Sequence, residues 1–80
     1  MGTKAYVLIE VAVGKAKAVT AEIFKLEGVQ TVDVVMGTFD IIAIVNTSDI
    51  SAVASLVTGD IHTIDGVLRT QTCLAVVNVE

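Results

Sequence analysis

Basic residues are scarce in this 80-residue chain: five Lys and Arg stand against nine Asp and Glu, for a formal net charge of -4. That balance excludes a surface built to neutralise the phosphates of a nucleic acid. Aromatic residues are scarcer still, one Tyr and two Phe with no Trp. Tyr6, Phe24 and Phe39 do not make the paired stacking platform with basic flanks that an RNA-recognition sheet needs. Cys73 is the sole cysteine, so an intrachain disulfide and a multi-cysteine metal cluster are both excluded, and a reducing compartment fits. No glycine-rich loop ending in Lys-Ser or Lys-Thr opens a helix, which removes a phosphate loop. The first apolar run, broken by Glu10, is too short and too polar for a membrane span or a signal peptide. The reading is a cytoplasmic protein with no metal, no cofactor and no membrane partner.

What the chain does have is apolar side chains, 54% of its residues. A domain of this size buries only about 60 to 65% of the surface its unfolded chain exposes, so its own core is marginal. Some of that apolar surface is therefore expected to cover a subunit interface.

"AYVLIEVAV", Ala5 to Val13, is β-branched and apolar and stops at Gly14, the pattern of a buried strand. In "KAKAVTAEIFKLE" the residues Ala16, Val19, Ile23 and Leu26 fall on one helical stripe, with Gly28 at the C-terminal end. "VQTVDVVM" alternates, Val32, Val34 and Met36 against Thr31, Asp33 and Val35, as an edge strand does. "DIIAIVN" is apolar on both faces, as a central strand is. Ser48 is placed to cap a second helix, in which Ile50, Val53, Val57, Ile61 and Ile64 recur at helical spacing despite Gly59. "VLRTQTCLAVV" closes the chain as a last strand. The order is βαββαβ in one domain, residues 1–80, and its halves echo each other: Glu27-Gly28-Val29 ends the first helix as Asp65-Gly66-Val67 ends the second. Two such units interleave into an α+β ferredoxin-like plait, a four-stranded antiparallel sheet with both helices on one face. The first and third strands form its centre. The opposite face, carrying Ile42 and Ile44 or their neighbours, is left to meet a second subunit, a dimeric α+β barrel arrangement.

Few residues carry chemistry. His62, the sole histidine, sits in the last turn of the second helix, where the helix dipole alone favours it, although some dimeric plait enzymes use one histidine as base or ligand. Cys73 has no base near it in sequence and reads as a small buried hydrophobe. Thr70 and Thr72 share one side of the last strand, with Arg69 and Gln71 on the other, and suit either a solvated edge or a polar site wall. The turn "GTFD" is equally open: Gly37 permits positive φ, and Asp40, a carboxylate at the mouth of an apolar strand, either caps the turn or holds a ligand.

The stretch "EGVQTVDVVMGTFDIIAIV", followed by a second helix and "IDGVLRTQT", resembles the effector domain of the Lrp/AsnC family, also called the regulation-of-amino-acid-metabolism domain. The resemblance runs from about Tyr6 to Val77. Its specific parts are the helix-end Gly-Val, the Gly-x-x-Asp turn at Gly37 and Asp40, and Gly66, Val67, Thr70 and Thr72 in the last strand. The usual member joins this domain to a DNA-binding helix-turn-helix, which is absent here, so the chain resembles a stand-alone effector domain. The resemblance implies sheet-to-sheet dimers, rings of dimers, and a small effector, usually an amino acid, bound between dimers near the Gly-x-x-Asp turn. It thereby places Gly37, Thr38, Phe39 and Asp40 at the ligand, and Thr70 and Thr72 beside it. It implies a non-enzymatic sensor that modulates transcription regulators, with full-length Lrp/AsnC relatives as further partners. Two other classes stay open: a small dimeric monooxygenase-like or isomerase-like enzyme built around His62, and a purely structural oligomerisation module.

With no recognition helix and so few basic residues, the isolated chain is expected not to select a DNA sequence. Gel-shift titration at physiological salt checks this, and sub-micromolar, sequence-selective binding would contradict it.

Overall fold

Alternation in the two most apolar stretches decides the sheet. In the computed structural model, which describes residues 2–77, β1 (Thr3–Val11) and β3 (Ile41–Thr47) pair antiparallel, Ile9 with Ile41, Val7 with Ala43 and Ala5 with Val45. These six side chains point to one face and are almost wholly buried. Their neighbours Tyr6, Leu8, Ile42 and Ile44 take the other face, since cross-strand partners share a side. β2 (Val29–Val34) adds outside β3, and β4 (Val67–Leu74) outside β1, giving the order β2-β3-β1-β4. This is the ferredoxin-like plait, with β1 and β3 at its centre.

Both helices cover the first face. α1 (Ala16–Phe24) buries Val19 and Ile23, and its flanking Ala16 and Leu26 pack against the same core. α2 (Ile50–Ser55) contributes Val53, and its π-helical continuation (Leu56–Ile61) contributes Leu56, Val57 and Ile61. Burying an Ile or Val side chain fully is worth about 1.5 to 3 kcal/mol, so this layer supplies the main hold on the sheet.

Several boundaries differ from the sequence expectation. β1 ends at Val11 rather than Val13, whose side chain is fully exposed, because the chain turns at Ala12 to donate to the Gly66 carbonyl at 2.8 Å. α1 stops at Phe24 rather than Glu27, and β2 stops at Val34 rather than Met36, which is 99% exposed. β4 ends at Leu74 rather than Val77. The cap of α2 is Asp49, not Ser48: the Asp49 carboxylate accepts the Ala52 amide at 2.8 Å while its backbone stays extended. The second helix does not run as an α-helix to Ile64. Its residues from Leu56 adopt the wider π spacing, seen in the His62 N–H donating to the Val57 carbonyl at 2.8 Å. The wider turn keeps Val53, Val57 and Ile61 in line, whereas a spacing of four drifts around a regular α-helix. Ile50, expected on the same stripe, is 61% exposed.

The face opposite the helices bears Tyr6, Leu8, Ile42 and Ile44 with a polar margin that includes Glu10, Asp33 and Arg69. Cys73 also lies there, opposite Tyr6, and is exposed rather than buried: β4 is an outer strand, and its odd-numbered residues between Arg69 and Cys73 turn away from the helices.

Candidate functional site

The turn between β2 and β3 is built around Asp40. β3 begins at Ile41, opposite Ile9, whereas β1 continues to Val11. The amide of Val11 therefore has no β3 carbonyl to meet, and the Asp40 carboxylate takes that place, with Oδ2 accepting Val11 N–H at 2.9 Å. Asp40 also donates its own N–H to the Ile9 carbonyl at 2.9 Å and accepts Val35 N–H on its carbonyl at 2.8 Å. The residue is thus fixed at three points while remaining half-buried. Capping is one role of this carboxylate. Its other oxygen retains acceptor capacity, because an ionised carboxylate offers about four lone-pair sites.

Gly37 has φ +146°, and a Cβ built on it would meet nothing within 4 Å. Glycine is required there by the backbone angle, not by crowding. Gly37 and Thr38 are both exposed at the tip. Phe39 turns back over the sheet, its ring centroid 4.8 Å from Cζ of Arg69, and Arg69 Nε donates to Glu10 Oε1 at 3.1 Å. Glu10 and Arg69 are direct cross-strand partners. Neither was singled out from the sequence as a site residue. The signal that finds them is the register of β1 against β4, which composition and spacing do not contain.

Thr70 and Thr72 do not join this cluster on the same face. They pair with Ile9 and Val7 and so point to the helix side, while Arg69 points to the open side. Thr70 is half-buried beside the same end of β1. Thr72 lies further along and lines an apolar groove of about 310 Å³ with Ile50, Val53, Val57 and Leu74. The two hydroxyls share a side, and Thr72 lies away from the turn within the chain.

Two other clefts are present. One of about 600 Å³ lies at the opposite end of β3, between Glu27, Asn46, Thr47, Ser55 and Asp60. Another of about 440 Å³ lies between Lys15, Glu22 and Asp65. His62 is exposed and lines none of the three. Among the described residues, no group of three or more His, Cys, Asp and Glu side chains is arranged to hold a metal ion, and no helix is long and apolar enough to cross a membrane.

The plait and its Gly37–Asp40 turn, pinned by the Asp40 carboxylate, set the frame for comparison with known domains. The family model of the Lrp/AsnC ligand binding domain matches residues 4–79, and the chain belongs to that family. Among solved structures, TTHA0845 from Thermus thermophilus is 32% identical over 98% of both chains, with a TM-score of 0.93. Escherichia coli AsnC is 21% identical, with a TM-score of 0.89 over 95% of this chain and 52% of its own. The transcriptional regulator NMB0573 of Neisseria meningitidis, solved as a complex with L-Met, is 16% identical, with a TM-score of 0.88 over 98% of this chain and 52% of its own. The chain thus spans about half the length of those two regulators, and at these identities they share its fold. By sequence, no curated protein matches the chain.

His62→Gln is expected to leave the thermal unfolding midpoint and any amino-acid binding unchanged, because the side chain is exposed and lines none of the three clefts described. A bound metal or an activity that disappears with the substitution would redirect attention to a histidine-centred enzyme.

Proposed function

We propose that the chain is a non-enzymatic effector module, binding a small amino-acid-like ligand at a boundary between protomers and modulating transcription regulators of its family. The observation that carries this reading is the Gly37–Asp40 turn, in which a half-buried carboxylate with spare acceptor capacity sits at the base of an exposed tip that has no side chain at Gly37. In the proposed arrangement Asp40 takes the ammonium group of the effector. Backbone amides near Gly37 and Thr38 approach its carboxylate, and Phe39 flanks the site. Thr70 and Thr72 contribute from a neighbouring protomer, since within one protomer they face the other side of the sheet. The L-Met bound to NMB0573 makes L-methionine the first ligand to try.

Assembly is part of the reading. The face carrying Tyr6, Leu8, Ile42 and Ile44 has no helix over it, and a second copy is its proposed cover, with dimers associating further into rings. Sedimentation equilibrium at micromolar concentration is expected to return a dimer or higher species. A well-behaved 8.3 kDa monomer would remove both the interface and the site placed on it.

Because Asp40 also holds Val11, two substitutions are needed to separate its roles. Asp40→Ala removes the acceptor for Val11 N–H and is expected to cost about 1 to 3 kcal/mol of stability as well as the effector. Asp40→Asn keeps an oxygen for Val11 and should fold with less than about 1 kcal/mol of loss, yet it has no charge for an ammonium. Losing a charge-assisted hydrogen bond of about 1.5 to 3 kcal/mol should weaken binding roughly ten- to a hundredfold. A thermal-shift screen of the amino acids, L-methionine first, followed by calorimetric titration of parent and variants, checks this. If folded Asp40→Asn binds as tightly as the parent, the carboxylate serves the strand end alone and the ligand lies elsewhere.

A further inference from the structure

The tip of the Gly37–Asp40 turn has few holds on the rest of the domain. Met36 is 99% exposed, Thr38 is exposed and Gly37 faces open space, so beyond Asp40 the contact that ties the turn to the sheet is Phe39 on Arg69. Arg69 is in turn tethered by Nε to Glu10, its partner across the β1–β4 ladder. Glu10 immediately precedes Val11, the residue whose amide Asp40 holds. The turn is thus gripped twice on adjacent residues of β1, once through the Asp40 carboxylate and once through the Phe39 ring, the guanidinium and Glu10.

We propose that Arg69 is the positioning residue of this turn, its guanidinium clasped between Phe39 and Glu10 so that the tip stays closed on β1. The chemistry favours arginine. A planar guanidinium can stack its face on a ring while its edge donates to a carboxylate, whereas a lysine ammonium has no planar face and makes the two contacts together less favourably. An exposed ion pair alone is weak, and so is an exposed cation–π contact, but here one rigid cation makes both and loses its side-chain freedom once. The inference rests on the proposed function only for its effect on effector affinity; the hold on the turn is independent of any ligand.

The reporter is the Asp40 amide, which donates to the Ile9 carbonyl, together with the Val11 amide held by Asp40. Residue-resolved hydrogen exchange on the full chain, without ligand, should show both amides exchanging about three- to tenfold faster in Arg69→Gln and in Phe39→Leu. The double variant should be little faster than either single one, because each already opens the same clasp. Arg69→Lys, which keeps the charge and loses the plane, should recover less than half of the protection. Amides in the middle of the β1–β3 ladder should keep their parental rates. Unchanged protection at Asp40 and Val11 in Arg69→Gln would overturn the proposal. So would an equal acceleration throughout the ladder, which marks general destabilisation. Full recovery with Arg69→Lys would overturn it as well, leaving only a charge effect. With L-methionine as the probe, calorimetric titration of the same variants should show affinity falling by a similar factor. If the parent itself takes up no L-methionine, the functional reading fails for that ligand, and the exchange rates still decide the clasp.

Discussion

The hydrogen bond from Val11 N–H to the Asp40 carboxylate is the contact on which the upper end of the sheet depends. β1 runs two residues beyond its last pair with β3, and the Val11 amide left over is partly buried, where an unmet donor costs about 1 to 3 kcal/mol. Lengthening β3 would satisfy it, but at the expense of the turn, since residues 37–39 would be drawn into the ladder. The aspartate closes the ladder with a side chain and lets the backbone leave the sheet early. Its own amide and carbonyl, bonded to Ile9 and Val35, then fix the base of a turn whose tip touches little. A rigid base under an open tip is the geometry recognition loops use on stable scaffolds.

A second constraint is that two short helices cover one face of four strands. On that face the core is nearly complete, and Val7, Ile9, Ile41 and Ala43 are fully buried within the single chain. On the other face Leu8, Ile42 and Ile44 are only half-buried, and the margin is where the charges lie, Glu10 with Arg69 among them. The outer strand β4 divides its side chains between these two environments. Thr70 and Thr72 go to the helix side and Arg69, Gln71 and Cys73 to the open side, so the polar groups attributed to one effector cannot all converge from one copy of β4. The proposed placement of the effector between protomers is compatible with that division.

Much of this was legible in the sequence because periodicity reports burial directly. The stripe of Ala16, Val19, Ile23 and Leu26, the two central strands apolar on both faces, and the left-handed demand at Gly37 were each readable from local pattern. The misreadings were cases where local pattern admits two answers. Ser48 and Asp49 are both good caps, and the choice turns on where β3 releases the chain, a point fixed when Thr47 Oγ1 donates to the Asp49 carbonyl at 2.9 Å. The run Val53, Val57, Ile61 has steps of four throughout, which suits a widened turn better than an α-helix, but only the packing selects it. Cys73 was expected to be buried because a strand's period gives two faces without saying which one the helices cover. The contact between Phe39 and Arg69 joins residues 30 positions apart through the register of two strand pairs, and no local pattern encodes it.

Capping and ligand binding, set against each other when the sequence is read alone, are compatible demands on Asp40 and in one respect reinforce each other. A carboxylate free to rotate would lose that freedom on gripping an ammonium, a cost that subtracts from affinity. With Oδ2 already held by Val11, the plane and direction of the group are set before any ligand arrives, so the second oxygen is presented in one orientation. Half-burial limits the desolvation penalty that a fully interior charge would carry. The amide that calls for an aspartate at the strand mouth would thus also serve the proposed pairing with a cation.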